Sequence, residues 1–142
     1  MRLNKHIAES GVCSRREADA WIEAGRGTVN GAPATLGTQV APGDQVAVDG
    51  APLGAKKAAV YLMLNKPPGI TCTTDAADPT NIVRFVAHRE RVFPIGRLDK
   101  DSEGLILLTN DGDIVNRLLR AENEHEKEYR VEVDRPLTDI FV

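Results

Sequence analysis

Only two cysteines, Cys13 and Cys72, occur in the 142 residues, far apart and in neither a C-x-x-C nor a Cys/His zinc spacing. That excludes a disulfide framework and predicts two free, buried thiols. The three histidines, His6, His88 and His125, are too scattered for a metal site or a catalytic triad. No apolar run approaches the ~20 residues of a membrane helix, and the N-terminus lacks the apolar stretch of a signal peptide. The predicted compartment is therefore the cytoplasm, with no membrane partner. A surplus of positive charge is also missing, since the net charge is -3. Residues 1–60 carry seven Lys/Arg against six Asp/Glu, and the remainder eleven against fifteen. Any contact with nucleic acid must therefore come from local basic patches. No P-loop and no G-x-S-x-G elbow is present. What remains, 42% hydrophobic and 27% charged residues, is the balance of an ordinary globular protein.

Leu3 and Ile7 stand four apart with Gly11 after them, which predicts a first helix over about Asn4 to Ser10. Ser14-Arg15-Arg16-Glu17 fits a capping box, Cys13 and Ala18 a hydrophobic staple, and Gly25 a stop, so a second helix comes next with Trp21 and Ile22 facing the core. Arg15 and Arg16 lie in its first turn, where each cation opposes the helix dipole at a cost of roughly 0.3–1 kcal/mol. A docked phosphate would reverse that penalty. From Thr28 the signals change to hairpins: Asn30-Gly31, then Pro42-Gly43-Asp44, an alternating Gln45 to Val48, and Asp49-Gly50 as the end. Gly25 to Gly31 nearly spells a dinucleotide fingerprint. It fails because Asn30 replaces the third glycine and a helix precedes it where a strand is required.

Ala51 to Ala59 has no period and reads as a linker, with a second domain opening at about Val60. Strands are predicted at Tyr61–Leu64 and Ile70–Thr74 around the turn Asn65 to Gly69, then a helix at Ile82–Val86 and a strand at Val92–Ile95. Leu105 to Leu108 is an unbroken apolar run, predicted to be a strand buried on both faces. Asp99 lies at its mouth, where a carboxylate can be partly desolvated while Arg97 keeps it ionised. A helix over about Gly112 to Arg120 and a strand over Tyr129, Val131 and Val133, ended by Pro136, complete the pattern. Asp99, Asp101 and Glu103 imitate half of a calcium loop, but Asn110 at the twelfth position cannot supply the bidentate carboxylate, so no metal site is predicted.

The run Gly96-Arg97-Leu98-Asp99-Lys100-Asp101-Ser102-Glu103-Gly104-Leu105-Ile106-Leu107-Leu108-Thr109-Asn110-Asp111-Gly112 resembles the catalytic motif of the RsuA/RluB/E/F group of pseudouridine synthases. Lys66-Pro67-Pro68-Gly69 is similar to their K-P-x-G motif, and Glu126-Lys127-Glu128-Tyr129 to their K-x-Y motif. Asn4-Lys5 and Gly11 to Gly31 resemble the S-four type RNA-binding module. Asn81-Ile82-Val83, Arg91 to Gly96 and His125 to Tyr129 look most like the RluF branch. The resemblance implies an α+β fold: a two-helix and sheet RNA-binding module at 1–50, a linker at 51–59, and a mixed or antiparallel catalytic sheet from 60 to 142. It implies isomerisation of a uridine in ribosomal RNA, the 23S RNA in this branch and a tyrosine tRNA for some members. No cofactor is required. Asp99 would be the catalytic carboxylate, attacking covalently or removing a ribose proton. Tyr129 would stack on the uracil or serve as a proton-transfer group, and Arg97 would fill the gap left by the flipped base. Arg2, Lys5, Ser14, Arg15, Arg16, Arg26, Asn30 and Lys66 would meet RNA, with Lys66 holding the active-site loop or a phosphate. The competing expectation is a non-catalytic RNA-binding protein that uses only the first module. Two departures stand out. Gly27 replaces an apolar strand residue of the module, and the sequence stops at Thr138 to Val142, before a later basic residue and the closing strands of the family. A monomeric fragment is the expectation.

Overall fold

The computed structural model describes residues 1–119, 126 and 128–135. Helix α1 spans Leu3–Glu9 and α2 spans Arg15–Glu23. The capping box forms as expected: the Ser14 hydroxyl accepts from the Glu17 N–H at 3.2 Å, and the Glu17 carboxylate accepts from the Ser14 N–H at 2.6 Å. Four short strands come next, β1 (Gly27–Val29), β2 (Ala32–Pro33), β3 (Val46–Val48) and β4 (Ala51–Pro52), paired antiparallel in the order β2-β1-β3-β4. Both residues of the Asn30-Gly31 turn have positive φ, 51° and 79°, the geometry that matches strand twist in a two-residue hairpin. Asp49-Gly50 repeats it at 51° and 76°. The expected linker is thereby corrected at its start: Asp49-Gly50 turns the chain back instead of ending the sheet, Ala51 and Pro52 pair with β3, and Leu53 packs on the core. Leu3, Ile7, Cys13, Ala18, Ile22, Ala34, Val40 and Val46 form that core. Trp21 covers its edge half-buried.

A second core of Cys72, Ile82, Val92, Ile106 and Leu108 lies under a three-stranded antiparallel sheet. The order is β5-β7-β6, with β5 at Tyr61–Lys66, β6 at Phe93–Ile95 and β7 at Gly104–Thr109. Helix α3 (Ile82–Val86) comes between β5 and β6 in sequence, and α4 (Gly112–Leu119) follows β7. The mixture of helices and antiparallel sheets is the expected α+β fold.

Three local expectations change. Strand β7 is buried on one face only, because its antiparallel register sets Ile106 and Leu108 beside Leu64 and Leu62 on the core side. The two-residue period then turns Leu105 outward, 67% exposed, while Met63 at 80% and Tyr61 at 59% lie exposed on the neighbouring β5. Residues Ile70–Thr74 form no strand. Thr71 donates its N–H to the Thr80 carbonyl and accepts from the Ile82 N–H, both at 2.9 Å, so its backbone serves the entry to α3. Residues 128–133 are likewise irregular and exposed, without the expected strand. Helix α4 keeps its apolar stripe but buries no residue fully. The expectations at Arg120, His125, Lys127, Pro136 and Thr138 to Val142 lie outside the described residues. Among the described residues, no helix is long and apolar enough to cross a membrane.

Candidate active site and nucleic-acid interface

The Asp99 loop leaves β6 and enters β7, and it is tied down on both sides. Leu98 packs on the second core and its N–H donates to Cys72 Sγ at 3.4 Å. Beyond Asp99, the Lys100 carbonyl accepts from the Gly69 N–H at 2.7 Å. The Ser102 N–H closes the turn onto the Asp99 carbonyl at 3.2 Å. The centre of this arrangement is Lys66, the last residue of β5, whose side chain is completely buried. Its Nζ donates to the carbonyls of Pro67 at 2.9 Å, Lys100 at 3.0 Å and Ser102 at 2.6 Å. Three donors meet three acceptors, which lets an ammonium survive burial without a carboxylate partner. The K-P-P-G turn and the Asp99 loop, more than thirty residues apart, are thus one structure.

Asp99 itself is exposed, which corrects the expected desolvation at the strand mouth. Arg97 is exposed too, and among the described residues no ion pair or hydrogen bond joins the two side chains. The apolar run that should have enclosed the carboxylate lies behind the loop, on one face of β7. Tyr129 stands 78% exposed, and no hydrogen bond among the described residues links it to the loop. The structure therefore assembles the loop and its clasp without bringing Arg97 or Tyr129 onto Asp99.

The residues expected to meet RNA divide into two groups. Arg2, Arg15 and Arg16 are exposed. The others have protein partners. Lys5 Nζ donates to both carboxylate oxygens of Asp113, at 2.7 and 2.9 Å, and that bond holds its ammonium above the ordinary lysine range. Ser14 is occupied by the helix cap. Arg26 forms a two-pronged pair with Asp49, its Nε at 2.9 Å and a terminal nitrogen at 2.6 Å, and its guanidinium lies 4.8 Å above the Trp21 ring. Asn30 donates to Asp44 at 2.9 Å and accepts from the Gln45 N–H at 2.9 Å, stitching two turns. Lys66, fully enclosed, cannot meet a phosphate in this arrangement, which leaves its loop-holding role.

Sequence reasoning misses Ser102, Gly69 and Cys72 as parts of the site, because their contributions are a carbonyl, an N–H and a sulfur acceptor. The glycine of K-P-P-G carries the one available signal: Gly69 has φ of 85° and directs its N–H at the loop. Two further ion pairs, Arg91 with Glu17 at 3.3 Å and Lys56 with Glu9 at 3.2 Å, tie α2 and α1 to residues beyond the first sheet.

Comparison with known proteins places this geometry in context. Residues 60–141 match the family model described as RNA pseudouridylate synthase, and residues 1–46 match the S4 domain. The chain is 59% identical over 144 residues to the dual-specificity RNA pseudouridine synthase RluF of Shigella flexneri, covering 100% of this chain and 50% of that protein. It is 40% identical over 135 residues to the ribosomal large subunit pseudouridine synthase B of Bacillus subtilis, covering 93% of this chain and 55% of the relative. A crystal structure of a pseudouridylate synthase is 32% identical, covers 87% of this chain and 54% of that one, and superposes with a TM-score of 0.45. The chain spans about half the length of the curated relatives it matches.

Proposed function

The chain belongs to the RNA pseudouridylate synthase family, and on that premise we propose that it acts on RNA as a uridine isomerase with Asp99 as its reacting carboxylate. The observation that carries this reading is the placement of Asp99: an exposed carboxylate on a loop whose neighbouring backbone is clamped by Lys66, Gly69 and Cys72. A reacting group held on a rigid frame yet open to a large substrate suits chemistry on a nucleotide drawn out of its stack. In the reaction the N1–C1′ bond breaks, the uracil turns, and a C5–C1′ bond forms. The C5 proton leaves to solvent and N1 gains one, so no atom is added or lost. Asp99 works at the ribose side, Arg97 occupies the vacated stack, and Tyr129 faces the turned base.

Residues 1–53 serve as the RNA-binding module and 54–59 as the connection to a catalytic portion at 60–142. Exposed Arg2, Arg15 and Arg16 supply its first phosphate contacts. The substrate is ribosomal RNA, with the 23S molecule preferred and a tyrosine tRNA as a second target. The protein works as a monomer in the cytoplasm. The test is tritium release from RNA labelled at uracil C5. Release is expected with the chain and should vanish with Asp99→Asn, while RNA retention persists. Retention of RNA with no release from either protein would favour the non-catalytic RNA-binding alternative.

A further inference from the structure

A cleft of about 300 Å³ lies between the first 50 residues and the second sheet. Lys5, Arg15, Lys57 and Arg91 line it, against only two carboxylates, Glu9 and Glu90. Within the lining Lys5 stands 3.6 Å from Glu9 and Lys57 3.8 Å from Glu90, so Arg15 and Arg91 are the cations the lining itself leaves unmatched. Half-buried Phe93 adds an aromatic surface to the same wall. Arg15 forms no ion pair among the described residues, and its guanidinium lies against Gly112, 3.4 Å from where a Cβ would stand. The carboxylates that neutralise two of the other cations sit outside the lining: Asp113 holds Lys5 at 2.7 Å and Glu17 holds Arg91 at 3.3 Å. Both pairs have exposed members, so solvent and salt reach them and a phosphate can replace the carboxylate at small cost.

We propose that this cleft is a strand-binding site for RNA, in which Lys5, Arg15, Lys57 and Arg91 grip the sugar–phosphate backbone while Glu17 and Asp113, outside the lining, act as built-in competitors for Arg91 and Lys5 when RNA is absent. The inference rests on the RNA reading above and adds residues of the second half to the binding surface. Its position gives a spacing. Phe93 pairs with Thr109 at one end of β7, and the Asp99 loop enters at Gly104 at the other. Five strand steps of about 3.4 Å, roughly 17 Å, separate the cleft end of β7 from the end at which the Asp99 loop enters.

The test is fluorescence anisotropy of the full chain with a fluorescein-labelled, single-stranded RNA of fifteen nucleotides, across a salt series. Arg91→Ala and Lys57→Ala should each weaken binding roughly three- to tenfold and reduce the slope of log K against log salt by about 0.7. Arg91→Lys, which keeps the charge, should restore most of the loss and controls for folding. Glu17→Gln, which preserves the capping box, and Asp113→Asn should tighten binding by a similar factor. If Arg91→Ala, Lys57→Ala, Glu17→Gln and Asp113→Asn leave affinity and slope unchanged while Arg2→Ala with Arg16→Ala, both outside the cleft, weakens them, the cleft proposal is overturned and the RNA reading stands. If the unaltered chain does not retain RNA, both fall.

Discussion

Replacing Lys66 by methionine removes the ammonium that clasps the Asp99 loop while keeping the volume of the side chain. The Lys100 carbonyl retains the Gly69 N–H, but the carbonyls of Pro67 and Ser102 lose the Nζ donor. Each acceptor left unpaired costs about 1–3 kcal/mol. Relief from burying a charge returns part of this sum. The net loss should be about 2–4 kcal/mol, a large share of the stability of a small domain. Urea unfolding followed by circular dichroism should show a midpoint lowered by roughly 1–2 M. Hydrogen exchange should locate the damage, with the Gly69 and Ser102 amides losing protection before those of Ile106 and Leu108. A midpoint shifted by less than about 0.3 M, outside the range expected from such a loss, together with unchanged exchange at Gly69 and Ser102, would refute the clasp.

Gly27→Ala should stabilise the first sheet by about 0.4–1 kcal/mol, because the glycine needs no positive φ and a new Cβ would meet Ile22 and Leu3 at 3.5 and 3.9 Å; a lowered thermal midpoint would contradict this. Ser14→Ala should cost about 1 kcal/mol through loss of the cap, read as a fall in the same transition. The hydroxyl and N–H of Ser14 hold the Glu17 carboxyl below its usual range, so this contribution is present above the unfolded value near 4.5 and fades as pH falls through the lower folded one. Burial pushes the Cys13 thiol up to about 11 from 9.0, so its contribution is full below 9.0 and is lost as pH rises through about 11. Iodoacetamide at pH 8 should therefore label Cys13 only after unfolding, and rapid labelling of the folded chain would count against its burial.

Elements governed by short-range rules were legible from the residues alone. The capping box needed only Ser14 and Glu17, and the first hairpin only Asn30-Gly31, since each is decided within four residues. The free thiols were equally plain. What could not be read was pairing at a distance. Whether Leu105 is covered depends on the strands beside it, and the register with β5 turns it outward. Lys5 and Arg26 advertise charge, yet Asp113 and Asp49 claim them from 108 and 23 residues away. For Lys66 the motif identified an important residue, but three main-chain carbonyls carry no mark in any sequence. The exposure of Asp99 has the same origin, since the apolar run beside it in the chain packs in another direction.

The clasp also bears on how the second sheet finds its pairing. Lys66 lies opposite Gly104, and the side chains of β5 alternate so that Lys66 shares the inner face with Leu62 and Leu64. A slip of one residue between β5 and β7 would throw the ammonium onto the outer face and bring Asn65 inward. An amide offers two N–H donors in place of three, on a shorter arm, so the loop carbonyls could not all be satisfied. The loop that presents Asp99 can close only on a correctly registered sheet. Chains that mispair during folding would therefore lack the ordered loop that carries Asp99.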